Sequence, residues 1–289
     1  MKRIRIVLIV SLFTTILAAC KMNYPTGKID YHASNESVAE GKRMAMMTCG
    51  PCHFNPSTND FSGKRMSDVP GIVGKIYASN ITQDLEAGIG EYTESELQYL
   101  IRTGVSRTGK LLPFMQRPNL ADDDLKNIVA FLKSDDALVK ANARVPGETN
   151  YSFVGRMAMG TTEPLPYHQR EIKKPEHDQI ALGRYLVDNL ACFHCHSKSF
   201  VSLDMINPEK SKGYLEGGNR MKNAAGRKVK SPNLTFQERG IKNWTLEEFK
   251  QAITQGINKE GKIVTYPMPM FPELTDEEVL SIYIYLKSV

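Results

Sequence analysis

Past its first twenty residues the 289-residue chain has no run of eighteen apolar residues, so no apolar helix there is long enough to cross a bilayer. Net charge is also scarce. The formal balance is +5, three of those charges are Lys2, Arg3 and Arg5, and the remainder leaves no electrostatic footprint for nucleic acid. Only five cysteines occur, and four of them form two Cys-x-x-Cys pairs, Cys49/Cys52 and Cys192/Cys195. Two such pairs could build one four-cysteine zinc ribbon, but 139 residues lie between Cys52 and Cys192, far beyond ribbon spacing.

The residue after each pair is more informative. The stretches are "CGPCH" at 49–53 and "CFHCH" at 192–196, so His53 and His196 come directly after the second cysteine. A dithiol oxidoreductase wants its pair at a helix start in a βαβ setting and leaves both histidines unexplained. Haem attachment uses every residue: two thiols bond the vinyl groups while the next imidazole binds the iron. The expectation is two covalently attached haem c groups, with Cys49, Cys52, His53, Cys192, Cys195 and His196 as their binding residues.

The fifth cysteine, Cys20, closes "LAAC" after a basic start, "MKRIR", and a fourteen-residue apolar stretch. That stretch is too short to span a membrane and right for a signal-peptide core. Small residues before a cysteine match a bacterial lipoprotein box, and an unpaired exported thiol is a liability. The reading is a cleaved leader, 1–19, and lipidation at Cys20. A tether, 20–35, then leads to an exported protein held at the periplasmic side of a membrane.

An internal repeat organises the remainder. Asn80 matches Asn233, Gly88-Ile89 match Gly240-Ile241, Tyr92-Thr93 match Trp244-Thr245, Gly104 matches Gly256, and Gly109-Lys110 match Gly261-Lys262, at an offset of 152 or 153. Each copy opens with a helical pattern before its CxxCH ("SVAEGKRMAMMT", "DQIALGRYLVDNL") and has a middle helix ending at glycine ("TESELQYLIRTG", "TLEEFKQAITQG"). Each closes on an amphipathic helix. Leu125, Ile128, Val129 and Leu132 share one face of the first closing helix, and Val279, Ile282, Tyr283 and Leu286 one face of the second. Thr275 and Glu278 have capping-box spacing. The fold class expected is all-α: two tandem domains, 36–135 and 176–289, each a few helices around a haem. A linker or strap, 136–175, joins them and is rich in Pro, Gly and charge. His32, His168 and His177 read as solvated loop residues, His194 as a neighbour of the haem site or exposed, and Met44, Met46, Met47 and Met66 as packing.

With CxxCH, the Asn-Ile/Leu-Thr stretch and a Met-containing loop in both copies, the chain resembles the di-haem class I cytochrome c family. It is similar to the cytochrome subunits of membrane-bound alcohol and gluconate dehydrogenases; a third CxxCH is absent. The resemblance implies a proximal histidine and a distal loop methionine on each iron. Met115 is then the ligand in "LLPFM" and Met268 in "TYPMPMF". Met268 competes with Met270, but lies seven residues after Gly261, as Met115 lies six after Gly109, and is held between Pro267 and Pro269. The implied role is electron transfer, not enzymatic turnover. Electrons pass from a periplasmic dehydrogenase or quinol-oxidising complex to a terminal oxidase or another carrier. The partners are redox proteins and, through the lipid, a membrane. The alternative is a di-haem peroxidase-type enzyme, which needs one iron open to peroxide.

Overall fold

The computed structural model of the chain describes residues 33–160, 164–167, 170–264 and 266–289. The leader, Cys20, His32 and His168 lie outside these residues. The described chain is mainly helical. In chain order the helices are α1 (Asn35–Thr48), α2 (Gly50–His53), α3 (Glu94–Thr103), α4 (Asp122–Leu132), α5 (Phe153–Gly160), α6 (Gln179–Asn189), α7 (Cys192–His196), α8 (Leu246–Thr254) and α9 (Asp276–Lys287). Four short strands pair as two antiparallel ribbons, β1 (Gly74–Lys75) with β2 (Asn150–Tyr151) and β3 (Arg220–Lys222) with β4 (Lys228–Lys230).

Local chemistry sets the helix limits. Ser34 caps α1 and Asp178 caps α6 through side-chain oxygens. Thr93/Glu96, Thr245/Glu248 and Thr275/Glu278 each form a full capping box. Gly104 ends α3 with φ 78°; α8 stops one residue sooner, at Gln255, and Gly256 follows with φ 70°.

In each half the opening helix crosses the closing one, α1 on α4 and α6 on α9. The crossings are close enough to require glycine. A Cβ on Gly41 would sit 1.8 Å from the Asn127 carbonyl oxygen, and one on Gly183 2.0 Å from that of Ser281. The predicted apolar stripes face these crossings: Leu125, Ile128, Val129 and Leu132 are buried, as are Val279, Ile282 and Leu286. Tyr283 is half-buried and donates to the Trp244 carbonyl at 2.7 Å.

The halves also hold each other reciprocally. Arg43 stands two residues past Gly41 and Tyr185 two past Gly183. Arg43 donates to both carboxylate oxygens of Glu278, in the first turn of α9, at 2.8 and 2.9 Å. Tyr185 donates to Asp124, in the first turn of α4, at 2.6 Å. Lys174 lies between the two acids, 3.6 Å from Asp124 and 3.9 Å from Glu278. The Tyr185 hydroxyl also accepts the N–H of Ala121, the N-cap position of α4 that has no capping side chain. A residue of one half thus caps a helix of the other. Tyr185→Phe is expected to lower the denaturant midpoint at unchanged slope. The loss is about 1–3 kcal/mol, because buried Asp124 loses a donor and α4 loses its cap.

Two segments were not legible as helix or strand in the sequence. The strap forms β2 and α5, with Thr149 bonded to the Tyr77 backbone at 3.0 and 3.2 Å. The β3–β4 hairpin stands in the second copy alone among the described residues.

Candidate functional site

Both CxxCH motifs are single helical turns placed at the end of an opening helix: α2 after α1 and α7 after α6. All four cysteines are unpaired thiols. One continuous cavity of about 1320 Å³ receives both motifs. Cys52, His53 and Met115 face it from one half, and Cys192, Cys195, His196 and Met268 from the other. Cys49 sits beside them, 3.5 Å from the Thr48 hydroxyl.

The imidazoles are preset by backbone. His53 Nδ1 donates to the Ser79 carbonyl at 2.7 Å and His196 Nδ1 to the Pro232 carbonyl at 2.9 Å. A donating Nδ1 leaves Nε2 with its lone pair for a metal, the tautomer control common to ligating histidines. His53 Nε2 faces the Met115 sulfur at 3.4 Å. Both rings are buried, and burial lowers their proton affinity, so they are neutral.

The repeat signature accounts for the two carbonyls. Ser79 and Pro232 directly precede Asn80 and Asn233, whose side-chain oxygens accept the N–H groups of Thr82 and Thr235 at 2.8 and 2.7 Å. The Thr82 and Thr235 carbonyls then accept from Ile89 and Ile241 at 2.8 and 2.9 Å. A Cβ at Gly88 or Gly240 would lie 2.2 or 2.0 Å from those same carbonyl oxygens. Asn-x-Thr and Gly-Ile are therefore one device, repeated, for fixing the carbonyl that orients the histidine.

Electrostatics argue against a redox dithiol. Burial pushes the thiols up, Cys192 and Cys195 to about 12, with Asp68 and Cys52 adding to the effect on Cys195. A reactive dithiol needs the opposite shift. Among the described residues no group of three or more His, Cys, Asp or Glu stands in a metal-binding arrangement. Cys52 and Cys195 line the same cavity.

Met44 and Met47 are core and Met46 packs against it, whereas Met66 lines the cavity. His177 is exposed. His194 is not: its ring stacks edge-on against Phe193 at 4.5 Å, its Nε2 is buried without a partner, and burial holds it at about 3. Two further residues gave no sequence signal. Arg117 is a guanidinium at the cavity whose field reaches Cys49, Cys52 and His194. Tyr266 accepts the Asp68 N–H at 2.9 Å and donates to its carboxylate, tying the Met268 loop to the other half. Met270 is 54% exposed and does not line the cavity.

No family model matches the chain. It is 26% identical over 276 residues to the gluconate 2-dehydrogenase cytochrome c subunit of Pantoea cypripedii, covering 90% of this chain and 61% of that one. The fructose dehydrogenase cytochrome subunit of Gluconobacter japonicus is 27% identical over 298 residues, covering 96% of this chain and 58% of that one. A "diheme cytochrome c-type" protein of Cereibacter sphaeroides is 26% identical over 261 residues, covering 83% and 81% of the two chains. The relatives it matches are cytochrome c subunits of dehydrogenases and a di-haem cytochrome c, so the chain is similar to di-haem cytochromes c. The chain spans about 60% of the length of the dehydrogenase subunits it matches. Its donor set fits haem c: free thiols for thioether bonds, an imidazole Nε2 in the cavity, and thioethers among the lining residues. The cavity, 1320 Å³, also exceeds the roughly 300–1,000 Å³ of an ordinary single-ligand pocket.

Proposed function

We propose that the chain is an exported two-domain cytochrome that binds two haem c groups and passes electrons between redox proteins without turning over a substrate of its own. One group is held by Cys49, Cys52, His53 and Met115, the other by Cys192, Cys195, His196 and Met268. The observation that carries this reading is the shared cavity, with both CxxCH motifs facing it and each imidazole oriented through Nδ1. Haem, when bound, supplies a one-electron ferric/ferrous couple. The chain's part is to hold that couple still. Ser79 and Pro232 keep each imidazole as a neutral donor, and the apolar walls exclude water. The one cavity that both motifs line favours transfer between the two sites. Met115 facing His53 offers a second donor for the iron at that site, which would favour a carrier over a peroxidase.

Mass spectrometry of the mature protein is expected to show two haem additions that survive denaturation, and one after joint Cys192→Ser and Cys195→Ser substitution. A single addition in the wild type overturns the reading. The donor is a dehydrogenase or quinol-oxidising complex and the acceptor an oxidase or further carrier, a placement supported by relatives that are dehydrogenase subunits.

The site of action is the periplasmic side of a membrane, to which lipid on Cys20 holds the protein. The support is the basic, apolar, "LAAC" order of the first twenty residues. Cys20→Ser should give uncleaved precursor or released protein on fractionation; processing and membrane recovery equal to wild type would remove the anchor.

A further inference from the structure

Between CxxCH and the Asn-x-Thr signature the second copy is longer than the first. The offset between copies is 143 at His53/His196 and 153 at Asn80/Asn233, so ten extra residues enter there. They appear as the β3–β4 hairpin, Arg220–Lys222 paired with Lys228–Lys230. Residues 217–232 contain Arg220, Lys222, Arg227, Lys228 and Lys230 and no acid.

The pairing register makes this arrangement costly by itself. Arg220 stands opposite Lys230 and Lys222 opposite Lys228. Alternation puts all four on one face, while Met221 and Val229 share the other and Met221 is buried. Directly opposed side chains in such a ribbon stand about 5 Å apart, and like charges there repel. None of the five cations is in an ion pair among the described residues. Among the described residues the fold therefore maintains a square of cations without ion-pair partners; the acid that meets the hairpin backbone is Asp68, whose carbonyl accepts the Lys222 N–H at 3.4 Å and whose carboxylate is bonded to Tyr266.

The square is built onto the second haem motif. The Gly217 N–H donates to the His196 carbonyl at 2.6 Å, and Asn219 Nδ2 to the His194 carbonyl at 3.2 Å. The returning strand delivers Pro232, whose carbonyl holds His196 Nδ1. Both stems of the hairpin end at the residues that position the imidazole.

We propose that this hairpin is the docking surface for the acidic face of a redox protein that exchanges electrons at the second CxxCH site. This rests on the electron-transfer reading of the chain. A complementary charged face speeds encounter and sets register, and the stems place the bound partner beside that site. A protein fits better than a lipid surface, because the hairpin tip, Asn223–Gly226, carries no large apolar side chain to insert and the apolar pair faces inward.

The test compares the full-length haem-loaded protein with a variant carrying Gln at 220, 222, 228 and 230. Removing opposed like charges should leave the melting temperature equal or higher, so loss of binding is not loss of fold. A fluorescent poly-glutamate peptide should bind wild type at low salt at least about tenfold more tightly than the variant, the difference vanishing at high salt. Oxidation of the reduced protein by anionic ferricyanide should slow by a similar factor, while oxidation by the cationic tris(phenanthroline)cobalt(III) does not slow. Equal peptide affinity, or equal ferricyanide rates, overturns the proposal. So does salt-sensitive binding to phosphatidylcholine vesicles containing phosphatidylglycerol that the variant loses, because the surface is then a lipid site. Protein lacking covalent haem would instead sink the electron-transfer reading, while the peptide measurement would still decide on the surface.

Discussion

Met268→Ala should abolish the near-infrared absorption of Met–Fe(III) ligation at one of two haems and lower that haem's potential, whereas Met270→Ala should leave both largely intact. Two backbone hydrogen bonds that recur in both copies bracket the proposed ligand position. Before the methionine, Leu112 donates to Gly104 and Val264 to Gly256; after it, Arg117 donates to Ile101 and Phe271 to Ile253. Met115 is three residues past the first bond and two before the second. Counting forward in the second copy reaches 267 and counting back reaches 269, so the loop carries two extra residues and Met268 falls at its middle. The side chains agree. Met268 lines the cavity and packs on the core, while the Met270 sulfur lies over Gly256, where a Cβ would come within 2.7 Å of it. A soft thioether favours ferrous iron, so its loss should lower the potential by on the order of 0.1 V or more, within the ~0.8 V range that axial ligands command. Loss of the band in Met270→Ala alone would mean that the loop presents the other sulfur.

Arg43→Ala should be among the most destabilising substitutions outside the haem motifs. It leaves the Glu278 carboxylate, 6% exposed, without its two charge-assisted donors. Stranding one partner of a buried pair costs ~3–5 kcal/mol, and the lower end applies because Lys174 and the Thr275 N–H remain. The pH dependence gives a second readout. Burial alone would raise the Glu278 pKa, but the hydrogen bonds from Arg43 and the Thr275 N–H and the attraction of Arg43 and Lys174 together hold it below the usual carboxylate value. A depressed carboxyl stabilises the fold above its unfolded pKa, about 4.3, and that stabilisation is lost as pH falls through the lower folded value. Without Arg43 burial dominates. The stability gap between wild type and variant, read from denaturant midpoints, should therefore narrow below about pH 4; a gap independent of pH would place the cost elsewhere.

The sequence by itself determined what is local or repeated. CxxCH points to its proposed chemistry within five residues, because the two thiols and the imidazole that would hold a haem come from one helical turn. Capping boxes, the left-handed glycines and the apolar stripes are legible for the same reason: each is decided within about one or two turns of chain. Duplication extended this reach, since residues recurring at an offset of 152 or 153, such as Asn80/Asn233 and Gly88/Gly240, mark a shared device before its partners are known. What only the tertiary structure decided lies between segments far apart in the chain. Ser79 and Pro232 act through backbone carbonyls, which no side-chain pattern displays. Tyr185 caps a helix 64 residues away, Arg43 meets an acid 235 residues away, and Tyr266 ties down a loop from across 198 residues. Sequence spacing alone does not set the four cations of the hairpin opposite one another. Strand register alone sets them on one face in like-charged pairs, because facing depends on pairing partners and not on neighbours in the chain.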